Sequence, residues 1–238
     1  MGRDADPAKV QAARAYLMAE GLYGSRAVIH QGSMDRLPYT DYIGNMVTTE
    51  LPAPPTPAEE LERMVRPHGG VFFARLPDAA ATEDLVKQFP SAKRISHGDE
   101  TDLVWRRPGL KGEGEWSHFY ATPANTACSG DTFGKSTMRL QWFGRPGPEK
   151  MVDRHNKTSS PLYKNGRMFV PGLNYFVAVD AYNGTILWEK DVPDSVRIGA
   201  MRDSSNMALG DDALFIATRD SCLKVDPQTG TIRSRLSA

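Results

Sequence analysis

Three adjacent side chains, Asp153, Arg154 and His155, form the densest polar cluster in the C-terminal half of the sequence. A guanidinium can hold a carboxylate or quinone oxygen through two parallel hydrogen bonds, and a neighbouring imidazole can take up a proton near neutral pH. The cluster precedes an alternating apolar stretch at 167–170 and so lies on a loop, where it could contact a small anionic or quinone ligand or simply face water. Other chemistry is sparse. His30, His68 and His97 have no Cys or His partner at ligand spacing, so no metal site is expected. His118 lies in Trp116-Ser117-His118-Phe119-Tyr120, where a hydrogen bond to a backbone carbonyl in the core is expected. Ser129, Ser159 and Ser160 lack the Gly-x-Ser-x-Gly elbow of a serine hydrolase. Cys128 and Cys222 define neither a disulfide framework nor a metal site, and Cys222 is expected as a small buried residue.

The scaffold that must position the cluster is repetitive. Residues 165–189 and 211–235 align without a gap, pairing Phe169 with Phe215, Asp180 with Asp226, Gly184 with Gly230 and Ile186 with Ile232, each 46 positions apart. Leu140 and Trp142 precede Ile186 and Trp188 by the same offset, as the tail of a third copy would. A period of about 40 to 50 residues is the signature of propeller blades. Strands are expected at 167–170, 176–179 and 185–189, and again at 213–217, 222–225 and 231–235. The turns Asp-Ala-Tyr-Asn-Gly and Asp-Pro-Gln-Thr-Gly end in a glycine that supplies positive φ, and each opens with an aspartate able to bond the backbone two residues on. Two copies and part of a third cannot close a ring of about four to eight blades. An incomplete ring of all-β blades over 116–238 is therefore expected, within what reads as an internal piece of a longer protein.

Residues 1–107 follow a different pattern. Asp6 before Pro7 caps a helix at 7–20, with Val10, Ala13 and Leu17 at helical spacing and Gly21 as its stop. Short strands are expected at 26–30 and 42–48. Thr56-Pro57-Ala58-Glu59 reads as a capping box opening a helix to about Arg66, and 71–75 as a buried central strand. A helix at 82–89 and a hairpin of 93–96 with 103–106 complete the half. Such alternation predicts an α/β, Rossmann-like domain with a mostly parallel sheet. The Gly-rich, alternately charged segment 108–115 is the expected linker.

Composition excludes some classes of function. The 238 residues carry 29 basic and 29 acidic side chains, a formal net charge of zero, so no nucleic acid or anionic membrane is expected as a bulk partner. No apolar run approaches the ~20 residues of a membrane span, and 1–17 lacks the apolar centre of a signal peptide.

Particular segments carry a resemblance to known families. Ala178 to Trp188, AVDAYNGTILW, resembles the pyrroloquinoline-quinone-type (PQQ-like) propeller repeat, Ala-x-Asp-x-x-x-Gly-x-x-x-Trp, in which the tryptophan docks between blades. The segments GRDADPAKV, GLYGSRAVIHQGSMDRLPY, YIGNMVTTE and ELERMVRPHGGVFFARLP resemble the class I S-adenosylmethionine-dependent methyltransferases, from the end of their second strand onward. Together the order is similar to a bacterial family that joins a methyltransferase-like domain to a quinoprotein-like propeller. The resemblance implies that Asp4 accepts from the cofactor's ribose hydroxyls, although Asp4 and Asp6 also read as ordinary caps. It places Gly32, Ser33 and Met34 at the adenine, with Ser33 where the family has a carboxylate, Asp35 out of register to replace it, and Met34 able to pack on the ring. Glu50 falls where the family binds its acceptor, and reads more readily as an exposed loop residue. The family's glycine-rich loop is absent, so S-adenosylmethionine is implied for a longer parent and not for tight binding here. No compact set of Glu, Asn and Asp for a calcium-quinone site is legible, so the quinone itself is not expected. The implied function is a ligand- or partner-binding PQQ-like protein with a degenerate methyltransferase-like domain. The alternatives are a fragment of an active methyltransferase, then a quinoprotein-type oxidoreductase. The protein or small-molecule ligand is expected at the propeller face. The two halves imply opposite compartments, with the balance slightly toward export.

Overall fold

The computed structural model describes residues 1–50, 56–76, 79–98, 100–134, 140–145, 150–152, 159–196 and 205–237. It divides into two compact units, Met1–Arg107 and Pro108–Ala238.

In the first unit, Asp6 caps helix α1 (Pro7–Ala19): its carboxylate accepts from the Ala8 amide at 2.8 Å, and Pro7 occupies a first-turn position where its missing N–H costs nothing. The helix connects β1 (Gly2–Asp4) to β2 (Ile29–Gln31), which pair in parallel as a sheet of two strands. Arg14 fixes the helix to that pair by donating to the Ile29 carbonyl from Nε at 3.0 Å and Nη2 at 2.8 Å. A second sheet has the order β3–β4–β6–β5, built from β3 (Met46–Glu50), β4 (Val71–Leu76), β5 (Lys93–His97) and β6 (Glu100–Arg106). Only β3 and β4 are parallel there; β6 runs antiparallel to both of its neighbours. Helices α2 (Ala58–Met64) and α3 (Ala79–Gln88) accompany it. Leu61, Val65, Phe72, Ala74, Leu76, Phe89, Leu103 and Trp105 form its buried core.

The expected Rossmann-like α/β fold is therefore corrected. The described residues are mostly β-sheet, with four sheets and three helices of 13, 7 and 10 residues. A doubly wound sheet would need β1 and β3 joined through a common sheet, and among the described residues no strand connects them. The chain leaving β2 instead runs as an irregular loop that Arg63 holds in place. That guanidinium donates to the Leu37 carbonyl at 2.9 Å and the Tyr39 carbonyl at 2.7 Å, and pairs with Asp41 and Glu60. Two local expectations also change. Pro57, not Thr56, is the N-cap of α2, without a side-chain cap. Strand β4 is central in its sheet, as expected, but only one face, Phe72, Ala74 and Leu76, is fully buried, while Arg75 is exposed.

The second unit holds two four-stranded antiparallel meanders, β7 (Leu162–Lys164) to β10 (Ile186–Asp191) and β11 (Met207–Leu209) to β14 (Ile232–Ser237). Their middle strands are β8 (Arg167–Gly172) and β9 (Tyr175–Asp180) in one, β12 (Leu214–Ala217) and β13 (Ser221–Val225) in the other. Among the described residues no propeller ring is closed. The three-residue strands β7 and β11 are too short to show a period in the sequence. Residues 140–144, the expected third tail, are not a strand.

Strand β9 is buried along its whole length because both faces are covered. Phe176 and Ala178 face a core shared with Met207, Leu214, Ile216 and Leu223 of the other meander, while Tyr175, Val177 and Val179 pack with Trp142 and Ile186. The repeat offset is preserved atom for atom. The Trp142 indole donates to the Ala181 carbonyl at 2.9 Å, and the Trp188 indole donates to the Pro227 carbonyl at 3.1 Å. Asp180 accepts from the amides of Tyr182 (3.0 Å) and Asn183 (3.2 Å), and Asp226 from those of Gln228 (2.7 Å) and Thr229 (3.1 Å). Each turn ends in a glycine of positive φ, 74° at Gly184 and 71° at Gly230, against which a tryptophan ring lies.

Substituting Gly230 by alanine is expected to cost about 2 to 4 kcal/mol, since a Cβ would add left-handed strain and a steric clash and would meet the Trp188 ring at 2.8 Å. Gly130→Ala, with positive φ but open space around the new methyl group, is expected to cost about 1 kcal/mol. Denaturant midpoints of the two variants give the comparison.

Candidate functional site

Asp153, Arg154 and His155 lie outside the described residues. In the same unit, a polar cluster not singled out from the sequence joins Glu113, from the expected linker, to Tyr163 in the middle of the first meander's edge strand β7 and Tyr182 in its Asp-to-Gly turn. A single Glu113 carboxylate oxygen accepts from Tyr182 Oη at 2.8 Å and Tyr163 Oη at 3.2 Å, and the two hydroxyls are 3.1 Å apart. Burial, ahead of the Glu113 charge, pushes the Tyr163 phenol up to about 12. Burial and the Tyr163 hydroxyl raise Tyr182 as well. Lys164 adds ion pairs to Glu115 at 3.0 Å and Asp211 at 2.9 Å, and Trp116 exchanges backbone hydrogen bonds with Tyr163. Segment 108–115 is thus bonded into the second unit. The arrangement orders backbone; two phenols that hold their protons this firmly are poor general bases.

In the first unit the backbone brings Asp4, Gly32 and Ser33 together. The Gly32 amide donates to the Asp4 carbonyl at 3.0 Å, and Arg3 Nε donates to the Ser33 carbonyl at 2.8 Å. Asp4 Oδ1 accepts from the Asp6 amide at 2.8 Å, while the Ser33 hydroxyl donates to Asp35 at 2.7 Å. Gly32 has φ of +150°, and a side chain there would collide with the Arg3 guanidinium. Met34 lines a cavity of about 290 Å³ together with Arg3, Leu37, Tyr39, Val47 and Met64; Asp4, Gly32 and Ser33 do not line it. Its wall is held from behind. Glu60 accepts from the Leu37 amide at 2.9 Å, and the bonded Arg63 guanidinium keeps the Glu60 carboxyl below the usual carboxylate range. His30 Nδ1 and the Tyr39 hydroxyl share a hydrogen bond of 2.7 Å. Arg3 and Tyr39 were not expected at a site, because only the tertiary fold brings their chain segments to one cavity.

Of the remaining residues, His118 Nδ1 bonds the Ser117 hydroxyl at 2.9 Å, not a core carbonyl. Cys128 is exposed and Cys222 half-buried, both as free thiols. The Glu50 backbone pairs with Arg75 at the end of β3. Among the described residues no three His, Cys, Asp or Glu side chains converge as metal ligands, and no helix is long and apolar enough to cross a membrane. No family model matches the chain, and no curated protein matches it.

The tyrosine pair sets an alkaline limit to stability. Both phenols titrate higher in the folded protein than their ordinary value of 10.0, so their contribution is whole below that pH and is lost as the pH rises toward 12 and beyond. Denaturant midpoints followed from about pH 9 to about pH 11 are expected to fall more steeply in the wild type than in a Tyr163→Phe/Tyr182→Phe variant.

Proposed function

We propose that the chain is a ligand- or partner-binding module of PQQ-like repeat type, and that it performs neither methyl transfer nor quinone-dependent oxidation. The observation that carries this reading is the use of polar groups in the repeat. Both turn aspartates accept from backbone amides, and both repeat tryptophans donate to backbone carbonyls in neighbouring turns. Side chains committed in duplicate to holding sheets together build a platform. On that platform the most exposed of the large apolar groups are Phe143, 88% exposed, and Leu140, 73% exposed, which flank the docked Trp142 in sequence. Exposed aromatic and aliphatic groups on a rigid support suit contact with a protein or an apolar ligand.

The residues of the first unit do not fit S-adenosylmethionine. One oxygen of the Asp4 carboxylate, the implied ribose partner, accepts from the Asp6 amide, and of the four residues implied for the cofactor only Met34 lines the cavity. Titration calorimetry with S-adenosylmethionine is expected to give no saturable heat at micromolar concentration. Micromolar binding abolished by Asp4→Ala would overturn the non-catalytic reading, as would dye reduction by the chain supplied with pyrroloquinoline quinone and calcium.

A further inference from the structure

The cavity of the first unit has a charge composition that the reading above does not use. Arg3 is the only charged side chain among its described lining residues. Its Nε is spent on the Ser33 carbonyl, and it forms no ion pair among the described residues. The nearby carboxylates have other partners: Asp4 takes the Asp6 amide, Asp35 the Ser33 hydroxyl, and Glu60 the Arg63 guanidinium. The remaining guanidinium N–H groups lie across Gly32, where the lack of a Cβ leaves them room. Beyond the guanidinium the lining holds Leu37 and Leu61, both buried, with Met34, Ile43 and Met64 beside them; Thr48, Thr49, Thr56 and Tyr39 add hydroxyls.

A partly desolvated cation without a counterion favours an anion, and a guanidinium can hold a carboxylate with two hydrogen bonds. A volume of about 290 Å³ lies near the lower end for small-molecule sites. We propose that this cavity binds a small monocarboxylate with an aliphatic body, the carboxylate on Arg3 and the chain along Leu37, Leu61 and Met64. One guanidinium balances one negative charge, and the apolar wall supplies the remaining attraction. The Glu60–Arg63 pair takes part as a positioning element, because it holds the Leu37–Tyr39 wall in place.

The test compares octanoate, octanol and octylamine, which share one apolar body, by calorimetry on the full chain. Octanoate is expected to bind at one site per chain, about 10-fold or more tighter than octanol because of its charged hydrogen bonds, with octylamine giving no binding. Arg3→Gln is expected to lower octanoate affinity to that of octanol and leave octanol unchanged. Gly32→Ala is expected to act in the same direction by displacing the guanidinium. Octanol binding as tightly as octanoate would overturn the proposal, as would a lack of octanoate binding or an octanoate affinity indifferent to Arg3→Gln. The comparison of the three ligands on the wild type decides the matter even if a variant fails to fold.

Discussion

An indole lying against a glycine, with its N–H donated to a carbonyl of the same turn, is the interaction on which the second unit depends. It occurs twice, with Trp142 on the turn of Gly184 and Trp188 on the turn of Gly230. Each turn must present both a carbonyl and a flat, Cβ-free surface to the ring. The aspartate that opens the turn fixes the first by accepting two amides, and the closing glycine provides the second. The same geometry explains why Trp142 can dock without belonging to a strand: the turn supplies its partners, so no ladder is needed. Strand β9 is then covered on both faces, by the neighbouring meander on one and by Trp142 with Ile186 on the other.

The first unit is governed by a discontinuity. Among the described residues strands β1 and β2 pair only with each other, and the loop that leaves them is held by Arg63 rather than laid down as a further strand. Four acceptors converge on that guanidinium, from Leu37, Tyr39, Asp41 and Glu60, so the loop has one well-defined path. The path leaves a cavity beside β3 and exposes Arg3 to it.

Local chemistry was legible in the sequence where it is short-ranged. The Asp6-Pro7 start of α1, the positive φ of Gly184 and Gly230, and the aspartate contacts two residues on all follow from backbone sterics and one side chain. Sheet membership was not legible. Alternating helices and strands at 1–107 carry the same local signals whether their strands join one parallel sheet or two separate ones, and here the joining is decided by where Arg63 ties a loop. Of the residues expected at a site, Met34 reaches the cavity while Asp4 is occupied as a turn acceptor, a distinction that depends on side-chain direction. Glu113, Tyr163 and Tyr182 gave no signal, since they come from separate segments and meet only in the folded unit.

The central claim is that the two meanders form one cooperative body through Trp188. Native-state hydrogen exchange on a Trp188→Ala variant tests it most directly. Removing a buried tryptophan typically costs about 3 to 5 kcal/mol. The account predicts that amides of β9 and of β13 lose protection together by an amount of that order. Unchanged protection in β13, with loss confined to β9 and β10, would contradict it.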